Sequence, residues 1–300
     1  MFFYFAQNMY SKGFREILPI MKIAIQGIAG SFHAQAATEL FQDHEVSLVE
    51  CMIFRDVFDA VTNDKAEYGI VAIENSLHGS INPVYRLLAE QKLFVCGEIR
   101  LQIELFLIGL SPAEIEVLNA PSTEILSQRE ALSQCEIWLA DNLAQARVTE
   151  TSDTADAVRQ IIQEKSDTKF AIASRRAAKE YHGTIIAGPI NDDPENYTRF
   201  LCVTKQPAIP EGANRTSIIM SESDIDRSGT LVHALNVFAN RGINLSKLDS
   251  HPLPGEKRRY AFYIDVDTSM TQEAAKTAMQ ELIKLGWDVQ ILGSYRAYKH

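Results

Sequence analysis

Short apolar runs alternate with helically spaced segments from Lys22 onward, and this alternation leaves few architectures open to the chain. Lys22-Ile23-Ala24-Ile25-Gln26-Gly27 reads as a buried strand ending at a glycine. Gly30-Ser31 then opens a helix to about residue 41, with Ser31 as its N-cap. A second strand is predicted at 46–49. In the next helix Phe54, Val57, Phe58 and Val61 recur at spacings of three and four. A short strand at 68–73 and a helix at 81–88 continue the pattern. Strands that alternate with helices predict a doubly wound α/β layer around a mostly parallel sheet.

The pattern changes at 93–110, where two long strands, 94–99 and 103–108, are positioned to carry the chain into a second lobe. Residues 113–180 resume the alternation. They comprise a helical stretch over 123–139, a helix capped by Ser152/Asp153 and running to about 164, and a buried strand at 170–173. A helix then begins at Ser174 and ends at a glycine C-cap near Tyr181-His182-Gly183. A strand at 200–204 closes this region. Residues 206–215, with Pro207, Pro210 and Gly212, read as a linker. Beyond it the order is strand 216–220, helix 229–241, strand 245–251, a turn at Pro252-Leu253-Pro254-Gly255-Glu256, strand 260–266, helix 272–285 and strand 289–292. That βαββαβ order predicts a ferredoxin-like plait. The expected division is an extension at 1–20, a two-lobed region at 21–205, the linker, and a C-terminal domain at 216–300. One lobe takes 21–98 with 184–205, and the other takes 99–183.

Composition narrows the function. The chain has 300 residues, room for two or three domains, and its 46% hydrophobic and 23% charged residues are those of a globular protein. Lys plus Arg is 29 against 39 Asp plus Glu, a net charge of −10, which argues against nucleic acid as a partner. The basic runs Arg175-Arg176 and Lys257-Arg258-Arg259 are short and read as solvated charge. Cys51, Cys96, Cys135 and Cys202 are scattered, and His33, His78 and His182 are not at ligand spacing. Neither a disulfide framework nor a metal site is expected. No apolar run reaches the roughly 18 residues that span a bilayer, and residues 1–20 lack the marks of a signal peptide. A cytoplasmic protein without a membrane partner is the expectation.

Several polar clusters border predicted strands. Gly30-Ser31, at a strand-to-helix turn, either receives an anion on backbone N–H groups or is simply a capped tight turn. Glu74-Asn75-Ser76 follows the strand at 68–73, where open α/β sheets bind ligands, and equally reads as the cap of the next helix. In Thr198-Arg199-Phe200 the arginine either binds a carboxylate or braces the loop, and the phenylalanine packs on a ring or in the core. Ser127 and Gln134 are seven residues apart, close enough to two helical turns to share one face of the predicted helix.

Taken together and in order, these segments resemble the prephenate dehydratase family from Met21 to His300. The matching stretches are Gly27…Gly30-Ser31-Phe32, Ile73-Glu74-Asn75-Ser76…Gly79, Ser127…Gln134-Cys135, Ser152-Asp153-Thr154-Ala155, Ala171-Ile172-Ala173-Ser174 and Asn196-Tyr197-Thr198-Arg199-Phe200. The resemblance implies an α/β, two-lobed catalytic domain like type II periplasmic binding proteins, with its site in the interlobe cleft. It also implies that the α+β βαββαβ domain is an ACT domain. Thr198 matches the threonine regarded as essential in the family.

The implied reaction removes the ring hydroxyl and a carboxylate, as CO₂, from prephenate, giving phenylpyruvate for phenylalanine biosynthesis. Aromatisation drives it, so no cofactor is expected. The implied roles are a proton or hydrogen bond from Thr198 to the departing hydroxyl and a carboxylate held by Arg199 or by helix N-termini. Phe200, Glu74, Asn75, Ser76, Ser127 and Gln134 would complete the site. The resemblance further implies L-phenylalanine as effector, bound near Thr230, Leu231, Val232, Asn244, Leu245, Ser250 and His251. It implies a homo-oligomer, a dimer or a dimer of dimers, formed through ACT domains. Here the effector motifs read Gly229-Thr230-Leu231-Val232 and Asp249-Ser250-His251-Pro252, with His251 where the family carries arginine. Arogenate dehydratase is the nearest alternative, with the stretch 151–157 a possible determinant. An amino-acid-sensing binding protein is the alternative from another class.

Overall fold

A computed structural model of the chain describes residues 20–222, 228–252 and 260–297. Most of the N-terminal extension, the turn from Leu253 to Glu256 and the run Lys257-Arg258-Arg259 lie outside the described residues.

Three sheets organise these residues. The first begins with β1 (Met21–Gln26), α1 (Phe32–Leu40), β2 (Val46–Cys51), α2 (Phe54–Thr62) and β3 (Tyr68–Asn75). It continues through β4 (Gly79–Ser80), α3 (Asn82–Glu90) and β5 (Phe94–Gln102). β1 pairs in parallel with both β2 and β3, as the apolar runs predict. A late strand, β11 (Tyr197–Thr204), inserts antiparallel between β3 and β5, giving the order β2-β1-β3-β11-β5. The chain thus leaves this lobe along β5 and returns along β11, so the two crossing strands lie side by side.

The second lobe contains β6 (Phe106–Gly109), α4 (Ile115–Leu118), β7 (Glu124–Ser127), α5 (Arg129–Ser133), α6 (Glu136–Asn142) and β8 (Arg147–Glu150). It is completed by α7 (Thr154–Glu164), β9 (Lys169–Ala173), α8 (Arg175–Tyr181) and β10 (Thr184–Ala187), in the sheet order β10-β6-β9-β7-β8. Three expectations are corrected here. The helix predicted over 123–139 is a strand followed by two short helices. Ile125 and Leu126 are both buried because the two faces of β7 pack into different apolar clusters, Ile125 with Leu132 and Ile172 and Leu126 with Val158 and Ala171, and periodicity cannot separate a strand buried on both faces from a helix. Residues 184–187 belong to the second lobe, since β10 pairs with β6, so the return crossing comes later than expected. The left-handed residue that ends α8 is His182, at φ 60°, rather than Gly183.

The third sheet has the order β13-β14-β12-β15 and forms the expected βαββαβ domain. Its elements are β12 (Arg215–Glu222), α9 (Thr230–Ala239), β13 (Leu245–Pro252), β14 (Tyr260–Val266), α10 (Glu273–Lys284) and β15 (Trp287–Tyr295). One face packs Ile218, Met220 and Ile264 against Val237, Phe238 and Met279 of the two helices. The other face joins Ile219, Tyr263, Leu292 and Tyr295 to Ile73, Leu88, Val95 and Leu201 of the first lobe. Strand alternation supplies both faces from one sequence. The contact is backbone-close: a Cβ on Gly293 would lie 2.0 Å from the Val95 carbonyl oxygen, so only glycine fits there. The two-lobed region and the plait are the fold class that the sequence predicted.

Candidate active site

A cavity of about 340 Å³ lies between the lobes. From the first lobe, Ser31, His33, Ala72 and Asn75 line it, with Thr198 and Phe200 on β11. From the second lobe come Gln128, Gln134, Asp153 and Thr154. Thr198 and Phe200 are two residues apart on one strand and therefore share a face. Phe200 is almost fully buried as the floor, and Thr198 is 9% exposed at the cavity wall.

Thr198 is oriented by a relay of side-chain amides that crosses the lobes. Asn75 Nδ2 donates to Thr198 Oγ1 at 3.0 Å. The same nitrogen lies 2.8 Å from Asn196 Oδ1, and Asn196 Nδ2 donates to Gln134 Oε1 at 2.9 Å. Asn196 is fully buried, so both ends of its amide must be paired, and they are. Since the Thr198 oxygen accepts from Asn75, its own proton remains to be donated. Among the described residues no protein group accepts it, and Thr198 lines the cavity, so the proton is available to a group bound there.

Asn75 is held in turn by the turn that follows it. Its Oδ1 accepts from the backbone N–H of Leu77 at 3.0 Å and of His78 at 3.1 Å. Ser76 stitches this turn to β11: its N–H donates to the Tyr197 carbonyl at 2.9 Å, and its hydroxyl accepts from Tyr197 N–H at 3.0 Å. His78 reaches across to the second lobe, 3.3 Å from Ser133 Oγ and 3.3 Å from Gln134 Nε2.

The glycine turn after β1 is a joint between the lobes. Ser31 caps α1 by accepting from Ala34 N–H at 3.2 Å. Asp153 caps α7 by accepting from Ala155 and Asp156 N–H groups at 2.8 and 3.0 Å. Both caps line the cavity, so two helix N-termini present positive dipole ends to it. Burial raises the Asp153 pKa, with the two backbone donors opposing the shift. Gly30 lies against α8 instead: a Cβ there would approach Ala177 Cα to 3.1 Å, and its φ is +89°. Its carbonyl accepts from Ser174 Oγ at 3.0 Å. Gly30 is thus a lobe contact and not a lining residue.

Four further sequence-predicted residues lie elsewhere. Arg199 is on the opposite face of β11 from Thr198 and is buried beneath the C-terminal domain. Its guanidinium pairs with Glu98 at 2.5 Å and Asp265 at 2.7 Å, and donates to the Tyr295 hydroxyl at 3.0 Å. This corrects the expectation of a carboxylate clamp, because strand alternation turns the side chain away from the cleft. Glu74 also points to the C-terminal domain, pairing with Lys247 at 2.5 Å. Ser127 ends β7, fully buried, and donates to the Ile172 carbonyl at 2.6 Å, so it shares no helix face with Gln134. His251 turns inward from β13 and stacks on Tyr85 of α3, with ring centroids 4.7 Å apart.

The other effector candidates are spread around the C-terminal domain. Thr230, Leu231 and Val232 open α9, and Val232 is largely exposed. Asn244 Nδ2 donates to Asp267 Oδ2 at 2.7 Å, next to Leu245 at the start of β13. Along this edge strand Lys247, Asp249 and His251 face inward, while Ser246, Leu248 and Ser250 face out. Asp249 accepts a hydrogen bond from Ser80 of β4. The strand therefore grips the β3–β4 hairpin that carries Asn75.

Sequence reasoning missed Asn196, Asp153 and His33 as site residues. Asn196 and Asp153 stand inside the quoted motifs, so position relative to strand and helix ends was the available signal. His33 was weighed only as a metal ligand. Glu50, which lies outside every quoted motif, accepts from Ala29 N–H through its Oε1 at 2.7 Å and fixes the glycine turn.

Residues 23–208, which contain every one of these cleft residues, match the family described as prephenate dehydratase. The chain belongs to that family. Among its relatives, a bifunctional chorismate mutase/prephenate dehydratase of Aquifex aeolicus is 34% identical over 92% of this chain and 73% of its own length. An arogenate dehydratase/prephenate dehydratase of Arabidopsis thaliana is 37% identical over 92% of this chain and 72% of its own length. A prephenate dehydratase structure from Arthrobacter aurescens, in complex with L-Phe, superposes with a TM-score of 0.81 at 26% identity. That match covers 92% of this chain and 90% of the other.

Proposed function

We propose that the chain converts prephenate to phenylpyruvate, carbon dioxide and water. The observation that carries this is the hydroxyl of Thr198, which accepts from Asn75 and has its proton left for the cleft. In the reaction the ring C–O bond breaks with donation from Thr198 to the departing hydroxyl, which leaves as water. The bond to the ring carboxylate breaks with it, and its electron pair completes the aromatic ring. One proton is consumed overall and returns the threonine to its starting form. Thr198 is placed for this role by Asn75, Asn196 and Gln134, and the positioning supplies much of the rate.

Among the described residues no lysine or arginine lines the cleft. The substrate carboxylates are therefore met by neutral donors and by the N-termini of α1 and α7. Closure of the lobes across Gly30, Ser174 and His78 excludes water, which strengthens those dipoles.

The C-terminal domain is read as an ACT domain that binds L-phenylalanine near Thr230, Leu231, Val232, Asn244, Leu245 and Ser250. Support comes from its βαββαβ order, from the exposed outer face of β13 and from the relative solved with L-Phe. Pairing of two copies along the edge of β13 would make a dimer, or a dimer of dimers. The grip of β13 on the β3–β4 hairpin is the route by which effector binding reaches Thr198.

Glu130 and Asp153 in the cavity wall favour a cationic group and make arogenate the second reading. Turnover of prephenate and arogenate side by side tests the proposal. Faster phenylpyruvate formation supports it, and turnover of arogenate alone moves the assignment to the second reading.

A further inference from the structure

His33 is 9% exposed and lines the cleft, and the reaction as described leaves it unused. Its Nε2 accepts from the backbone N–H of Ala72 at 3.3 Å. A ring nitrogen that accepts carries no proton, so in the neutral imidazole the hydrogen sits on Nδ1. Burial pushes the His33 pKa down to about 3, which keeps the ring neutral. The ring is fixed edge-on against Phe200, with centroids 5.0 Å apart at 85°, and packs on Phe54 at 5.7 Å. Among the described residues no group accepts from Nδ1, and the residue lines the cleft. The result is a rigid donor-only N–H at the cavity wall.

Its position gives the donor a partner. Phe200 is two residues from Thr198 on the same strand face, a separation of about 7 Å. That span is comparable with a six-membered ring carrying groups at opposite ends. Prephenate has its hydroxyl at one end of the ring and its 2-oxo acid side chain at the other. We propose that His33 is a specificity-determining residue whose Nδ1–H donates to the side-chain keto oxygen of the substrate. A keto oxygen accepts such a bond, whereas an ammonium group at the same place presents donors to a donor. His33 therefore selects the keto acid over the matching amino acid and offsets the acidic wall of Glu130 and Asp153. This inference rests on the dehydratase reading above.

Two amide substitutions separate the ring nitrogens. In His33→Gln the longer side chain places its amide near the Nε2 position, keeping the Ala72 bond and losing the Nδ1 donor. In His33→Asn the amide falls near Nδ1, keeping the donor and losing the Ala72 bond. The measurements are kcat/KM on prephenate and on arogenate, with Tm for each variant. His33→Gln is expected to lose about 10-fold to 100-fold on prephenate, with arogenate changed by less than about threefold. His33→Asn is expected to melt lower, because it leaves Ala72 N–H unpaired, yet to keep the substrate ratio within about threefold. An unchanged ratio in His33→Gln, or an equal loss on both substrates, would overturn the inference while the dehydratase reading stands. Wild-type protein inactive on both substrates would overturn that reading together with the inference.

Discussion

Asn75 and Thr198 face each other across adjacent strands, and the amide of one holds the hydroxyl of the other at 3.0 Å. Register makes this possible: β3 and β11 run antiparallel with Asn75 opposite Thr198, so the donor is built into the sheet. Asn75→Ala should leave the fold intact and lower kcat by about 10-fold to 100-fold, with a smaller effect on KM. Steady-state kinetics on prephenate check this, and a change confined to KM would assign Asn75 to binding alone.

Arg199, next to Thr198 in sequence, is a structural cation and not a substrate ligand. The side chains of Glu98 and Asp265 are 2% and 8% exposed, so removing Arg199 leaves Asp265 buried without its cation and Glu98 with Arg215 alone. Burial works against the guanidinium charge, but Tyr295, Asp265 and Glu98 outweigh it and raise its pKa. Arg199→Met should cost about 3–5 kcal/mol of stability by denaturant titration. Residual folded enzyme should show KM for prephenate within about threefold of wild type, since no cleft contact is lost. A large KM increase without loss of stability would restore the carboxylate clamp.

The ion pair of Lys247 with Glu74 ties β13 to the strand that carries Asn75. Burial lowers the Lys247 pKa, but the neighbouring Tyr85 and Glu74 more than offset it and the net shift is upward. Lys247→Met is expected to keep kcat within about twofold while weakening inhibition by L-phenylalanine at least fivefold, a coupling of about 1 kcal/mol. Inhibition curves on the two proteins decide it, and superimposable curves would mean the signal runs elsewhere.

His33 sets a pH dependence of stability. Its folded pKa of about 3 lies below the ordinary value of 6.5. The unfolded chain therefore takes up a proton that the folded chain refuses. Stability from this site is complete above pH 6.5 and is lost as pH falls toward 3, by about 2 kcal/mol at pH 5. Urea titrations at pH 7 and pH 5 should show that loss in wild type and a smaller one in His33→Gln. Equal losses would assign the effect to other groups.

Much of this arrangement was legible in the sequence, for reasons that differ by residue. The apolar runs at β1 and β3 and the caps Ser31 and Asp153 are local signals, and they appear where the spacing placed them. β7 was hidden because Ile125 and Leu126 are buried on both faces, which removes the alternation that marks a strand. Alternation does say that Thr198 and Phe200 face one way and Arg199 the other. It does not say which side meets the cleft, because that depends on the C-terminal domain docking over Arg199. Ser127 and Gln134 misled because their spacing assumed one continuous helix. The inward turn of His251 likewise follows from tertiary contact with Tyr85, which no local pattern encodes.

The proposed reaction turns on the Thr198 hydroxyl, which would supply the hydrogen bond that lets the ring hydroxyl leave. The direct measurement is kcat for phenylpyruvate formation from prephenate by wild type, Thr198→Ser and Thr198→Ala, with Tm recorded alongside. Thr198→Ser should retain activity within about 10-fold, and Thr198→Ala should lose roughly 10²-fold to 10⁴-fold at an unchanged Tm. Near-normal turnover by a well-folded Thr198→Ala would contradict it.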